Sequence, residues 1–170
     1  PIELFASKDR EKVAHINENT FETSKVEGTS LIYSRDLSFG TVKAIIAKRE
    51  TTWSDNLDLD GGPFPIANTS RFTTYESDTV ELQLTGQRNN LNYVLGYYSL
   101  KDEAYTSNPQ SFFGGGQVFA QNYSGDGDSE AFYGQVEIAV SDKTDITFGV
   151  RKTEEDKEGF KEYVGVIAAN

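Results

Sequence analysis

Residues 79–100 read TVELQLTGQRNNLNYVLGYYSL, and this stretch decides the fold. Val80, Leu82 and Leu84 alternate with Thr79, Glu81, Gln83 and Thr85. Strict alternation gives a β-strand with one apolar and one polar side, because successive side chains leave the pleat in opposite directions. GQRNNLN then supplies turn residues, and a second strand follows, with Tyr93, Leu95 and Tyr97 on one side and Val94, Gly96, Tyr98 and Leu100 on the other. Two strands joined by so short a connection form an antiparallel hairpin.

Working outward, the same unit recurs on both flanks. Upstream, a strand from about Glu27 carries Leu31 and Tyr33 on one side, DLSFG breaks it, and a second strand runs from Thr41 to about Thr52. Downstream, Phe132, Val136, Ile138 and Val140 alternate with Tyr133, Gln135 and Glu137; SDKT turns the chain into a strand with Ile146, Phe148 and Val150. The expected hairpins are 25–52, 74–101 and 128–154. Between them lie 53–73, which holds Gly61, Gly62, Pro63 and Pro65, and 101–127, which holds Gly114 to Gly116. Both read as long irregular loops. The predicted fold is all-β: an antiparallel up-and-down meander of about six strands over 25–159. Residues 1–24 form a polar lead-in or extracellular loop, with one or two helical turns over 7–13. Residues 160–170 form a tail or the start of a further strand.

Composition removes several function classes. The 170 residues carry 16 basic and 27 acidic side chains, a net charge of −11, which repels phosphate backbones and argues against nucleic-acid binding. With no cysteine and a single histidine, His15, the chain offers neither a thiol nucleophile nor a multi-histidine metal site. His15 reads as a solvated loop residue. No apolar run approaches the roughly 18 to 20 residues of a spanning helix, a test that leaves spanning strands of about 9 to 11 residues open.

Alternation of short turns with long loops is unusual in compact soluble domains and normal in outer-membrane barrels. Aromatics such as Tyr33, Trp53, Tyr75 and Tyr93 fall near the ends of the predicted strands, as a membrane-interface girdle requires. The same pattern also suits a soluble or surface-exposed β-sandwich binding a carbohydrate or protein partner. A complete eight-stranded barrel is a third reading, with 1–24 and 160–170 supplying two more strands.

The segments VEGTSLIYSRDLSFGTVKAIIAKRETTWSDNLDLDG, TVELQLTGQRNNLNYVLGYYSLKDE and AFYGQVEIAVSDKTDITFGVRKTEEDKEG resemble the barrel wall of TonB-dependent outer-membrane receptors. The resemblance covers roughly residues 26–159. It implies a section of a transmembrane β-barrel in the outer membrane of a Gram-negative bacterium. Its partners would be outer-membrane lipid, a small-molecule nutrient (siderophore, cobalamin or glycan) and an inner-membrane energy-transducing complex. The plug domain that meets this complex has no counterpart in the 170 residues. Six strands cannot close a barrel of that family's size, so self-association through the open strand edges is expected, or pairing with the remainder of a longer chain.

No catalytic constellation is legible, and neither an enzyme nor a cofactor is expected. NLDLDGG matches the opening of a calcium loop, but position twelve is Ala67 and Pro63 interrupts it, leaving at most a weak cation site at Asp55, Asp58 and Asp60. Ligand contacts are expected on the loops, from Trp53, Phe64, Phe112, Phe113 and Tyr123 together with those aspartates, because aromatic faces beside polar groups suit amphipathic ligands.

Overall fold

The computed structural model describes residues 16–167. The helical turns expected over 7–13, and His15, lie outside the described residues. Six strands follow in order: β1 (Phe21–Leu37), β2 (Gly40–Asp58), β3 (Ala67–Arg88), β4 (Leu91–Phe112), β5 (Gln117–Ser141) and β6 (Thr144–Ile167). They form one open antiparallel sheet in sequence order. The all-β meander expected from the alternation is therefore what the chain adopts.

The sheet is a single layer. Ala131 is the one buried apolar residue among those described, whereas Phe148 is 64% and Val150 75% exposed. A sandwich needs a second sheet over the apolar side, and the six strands instead share one. The eight-stranded reading required new strands from both ends of the chain; residues 21–24 and 160–167 belong to β1 and β6 instead.

Three two-residue turns close one end: Ser38 and Phe39, Asn89 and Asn90, Asp142 and Lys143. Asn89 has a φ of 55°, a left-handed conformation that Asn tolerates better than most side chains. Asn90 latches this end to β5, with Nδ2 donating to the Ala139 carbonyl at 2.9 Å and its own carbonyl accepting from Ala139 N at 2.9 Å.

At the other end the strands run much further than the alternation suggested. Most of 53–73 and 101–127 is strand, and only residues 59–66 and 113–116 are connections. Serine, aspartate and asparagine gave these segments a loop-like composition. A strand wet on both faces has no apolar alternation to display, yet its backbone ladder is unaffected, and Asp55 and Arg71 lie directly opposite each other in it. The Gly and Pro cluster does break the chain, but only over 59–66. That loop is fastened from within: Asp58 Oδ1 accepts from Gly61 N at 3.0 Å, and Asp60 Oδ2 from Ala67 N at 2.8 Å. It also docks on its neighbour, since Phe113 N donates to the Ile66 carbonyl at 2.9 Å. β4 has 22 residues, so at about 3.3 Å each it runs about 70 Å, far more than the ~25 Å apolar belt of a membrane barrel.

Candidate functional site

Residues directly opposite each other in a ladder share a face, and the register sorts every strand into an apolar and a polar side. The apolar side carries Leu31 on β1, Ile46 on β2, Leu82 on β3, Leu95 on β4, Val136 on β5 and Phe148 on β6. Its greasy stretches are short, 31–33, 42–46, 80–84, 91–97, 132–140 and 146–150, and all lie toward the two-residue turns.

This band crosses the ladder at a slant. The middle of the β1 stretch, Ile32, lies opposite Ile45, which lies opposite Glu81 on β3. The middle of the β6 stretch, Phe148, traces through Val136 and Tyr93 to Gly86 on β3. From position 81 to position 86 over five strand steps is about one residue per strand. The charged border above drifts in parallel. Glu27 traces to Glu76 on β3, and Lys152 traces to Leu82. One residue of rise, about 3.3 Å, for each ~4.8 Å strand spacing corresponds to a strand tilt of about 35° from the normal to the band. Tilts of about 35–45° are those of membrane barrels.

Beyond the border, the same side turns strongly acidic. Glu27, Glu50, Glu76, Glu103, Asp126 and Glu158 form a continuous row, one carboxylate per strand, each directly opposite the next. Like charges so placed are mutually destabilising. Lys48 offsets part of this, lying 3.1 Å from Glu50 and 3.2 Å from Glu76. Its hydrogen bonds to those two carboxylates, Glu50 first, raise the ammonium pKa above the ordinary lysine value.

The polar side is held by side-chain bonds that cross several strands. Tyr133 Oη donates to Glu81 Oε1 at 2.8 Å, and Gln83 Nε2 donates to the same oxygen at 2.8 Å. The Tyr133 ring reaches Glu81 by lying over Gly96, which is opposite it on β4; a Cβ on Gly96 would sit 2.1 Å from the ring Cζ. Arg151, opposite Tyr133 on β6, places its Cζ 5.9 Å from the Tyr133 ring centroid.

Further from the turns, this side carries aromatic and cationic groups. Arg71 Cζ lies 4.7 Å from the Trp53 ring centroid, and Arg71 Nε donates to both Asp55 carboxylate oxygens at 3.2 Å. Asp55 is only 3% exposed. Its hydrogen bond is the main reason the Arg71 guanidinium holds its proton more firmly than usual. Trp53 Nε1 donates to Glu22 Oε1 at 3.0 Å. Lys161 sits 5.1 Å from the Tyr123 ring centroid and 4.5 Å from that of Tyr163.

The residues expected on ligand loops therefore separate. Trp53 and Asp55 lie on β2 and Tyr123 on β5, all on the polar side, and Phe112 ends β4, where its ring meets that of Phe119 at 6.1 Å. Phe64 and Phe113 are exposed in the connections. Asp58 and Asp60 turn oxygens toward backbone N–H groups of their own loop. Asp55 is committed to Arg71, so the three aspartates do not converge. Composition missed Arg71, Glu22, Lys161 and Tyr163. Continuing the two-residue period through the supposed loops would have placed Arg71 on the same side of β3 as Glu81 and Gln83.

No protein-family model and no curated protein matches the chain. Among solved structures the sheet is similar to the ferric yersiniabactin uptake receptor FyuA from Yersinia pestis, with a TM-score of 0.68 and 13% sequence identity over 88% of this chain. The match covers 26% of that receptor, so the chain spans about a quarter of its length. At this identity the likeness is one of fold: six meandering strands arranged as in part of an uptake receptor.

Proposed function

We propose that this chain is a section of the wall of a TonB-dependent receptor barrel in the outer membrane of a Gram-negative bacterium. The slanted apolar band carries the reading. Lipid is a flat slab, so a tilted barrel wall must step its greasy residues along the ladder from strand to strand, and from β1 to β6 these shift by about one residue per strand on average. A soluble sheet has no reason to shift the middle of the band and its charged border by similar amounts in the same direction.

In this reading the apolar side meets lipid and the polar side faces the lumen. The upper half of each strand carries the wall past the membrane, presenting Trp53, Arg71, Tyr123 and Lys161 to the interior. The receptor takes up a scarce small molecule such as a siderophore, cobalamin or a glycan, driven by an inner-membrane energy-transducing complex, and performs no chemistry on it. The fold shared with an uptake receptor supports this assignment. The test is to delete the gene encoding the full-length protein and measure nutrient-limited growth alongside fractionation of the wild-type protein. Outer-membrane fractionation with an uptake defect is expected; a cytoplasmic protein whose loss leaves uptake unchanged overturns the reading.

A further inference from the structure

On the polar side, far from the turns, two aromatic residues stand at either end of a hydrogen-bonding floor. Trp53, Thr73, Thr106 and Tyr123 lie directly opposite one another, one on each of β2 to β5. Three strand steps of about 4.8 Å separate the two aromatics by about 14 Å. Between them the Thr73 and Thr106 hydroxyls are 2.9 Å apart. Two residues further from the turns, Asn108 is opposite Gln121. Asn108 Nδ2 donates to Thr69 Oγ1 at 2.8 Å, and the Tyr123 hydroxyl donates to Gln121 Oε1. Toward the membrane, Gly125 and Gly159 are directly opposite each other, and a Cβ on Gly125 would meet only the Glu158 carbonyl, at 3.4 Å. No side chain folds into the space beside Tyr123, in contrast to Gly96, whose space the Tyr133 ring fills.

Charge on this face is balanced. From the row through Thr79 and Leu100 outward, the register places Arg49, Arg71, Lys157 and Lys161 on the polar side, together with Glu22, Asp55, Asp102 and Glu155. Four cations against four carboxylates make it neutral in a chain whose net charge is −11. Two of the cations are also individually matched, Arg71 by Asp55 and Lys157 by Glu155. The row of six carboxylates lies on the opposite side of the sheet.

We infer that this floor binds a neutral oligosaccharide, which narrows the imported nutrient to a glycan. The inference rests on the membrane-wall reading, which makes the polar side the lumen. Closing the wall with further strands leaves this side facing the interior. Thr106 lies 15 residues along β4 from Leu91, about 50 Å along the strand and about 40 Å along a barrel axis at a ~35° tilt, outside the ~25 Å apolar belt. The floor thus stands where a solute arrives from outside. An anionic metal chelate is drawn to a surface of net positive potential, and a neutral face supplies none. Sugar hydroxyls both donate and accept, so they match threonine hydroxyls, side-chain amides and the Asp102 carboxylate at once. The apolar C–H faces of sugar rings stack on aromatic side chains, and a pocket of aromatics with a few placed polar groups is the usual form of such a site. The separation of Trp53 from Tyr123 suits several linked rings rather than one.

The test takes the full-length protein in outer-membrane vesicles, with a panel of neutral oligosaccharides (glucans, xylans and mannans) and an anionic ferric catecholate chelate as probes. Saturable binding of a neutral oligosaccharide is expected, weakened about tenfold or more by Trp53→Ala and by Tyr123→Ala. Gly125→Leu, which fills the open space beside Tyr123, should weaken it as well. In the unsubstituted protein the affinity should be the same at low and high salt, because screening acts on charged ligands and leaves an uncharged one alone. Binding of the chelate without any sugar, binding of neither probe, a steep salt dependence, or sugar binding that none of the three substitutions moves overturns the glycan assignment and leaves the wall reading standing. A protein missing from the outer-membrane fraction overturns the wall reading and this inference with it.

Discussion

The Tyr133 ring occupies the space that a side chain on Gly96 would fill: a Cβ there would lie 2.1 Å from the ring Cζ, although the two residues sit on different strands directly opposite each other. By lying flat over that gap, Tyr133 spans β4 and bonds Glu81 on β3. One absent side chain thus ties three strands together on the polar side.

The Gly96→Ala variant forces the ring away from β4 and breaks the bond to Glu81, at an expected cost of about 1–3 kcal/mol. Tyr133→Phe keeps the packing and loses only the hydroxyl bond, at about 1 kcal/mol. Urea unfolding of the vesicle-inserted protein should rank the two in that order; equal losses would mean that the ring position is unimportant.

The two sides of β6 differ in what they tolerate. Phe148→Arg places a charge in the apolar band and is expected to cost about 2–4 kcal/mol if the band lies at the bilayer centre. Thr147→Arg, one residue away on the polar side, should be close to neutral. Comparing folded fractions in vesicles checks this, and similar penalties at both positions would contradict a two-faced wall.

Asp55 is buried, while its partner Arg71 is 42% exposed at the side chain. Water therefore takes over much of what the carboxylate supplies, and Asp55→Asn is expected to cost only about 1 kcal/mol. Arg71→Lys should perturb the site differently, because an ammonium cannot bridge both carboxylate oxygens while stacking on Trp53. Trp53 is the sole tryptophan, so its emission spectrum reports the change directly; an unaltered spectrum in Arg71→Lys would refute the stacking.

Lys48, between Glu50 and Glu76, has a raised pKa through its hydrogen bonds to them. A raised lysine contributes stability that is complete below the unfolded value near 10.5 and is lost as pH climbs through the higher folded value. Lys48→Gln should therefore lack part of the alkaline destabilisation seen in the parent chain, and high salt should shrink the difference, since the site is exposed. Identical alkaline limbs in both proteins would show that the bridge contributes nothing.

Local sequence was enough to set the strand type, the places of the short turns and the meander order, while the structure shortens each of those turns to two residues. The period of two in segments such as 80–84 and 132–140 is a property of each pleated strand alone. The Gly and Pro cluster likewise marked a true break, although it spans only 59–66 rather than 53–73.

What the chain could not show locally was where strands end when both faces are wet. Residues 101–112 and 117–127 carry no apolar rhythm, and they are strands because each backbone is hydrogen-bonded to the next across the sheet. The same holds for the site. Arg71 meets Asp55, and six carboxylates from six strands line up, only through inter-strand register. Register is a relation between segments far apart in sequence; the alternation fixed which face each side chain takes, and tertiary pairing alone decided which neighbour it finds there.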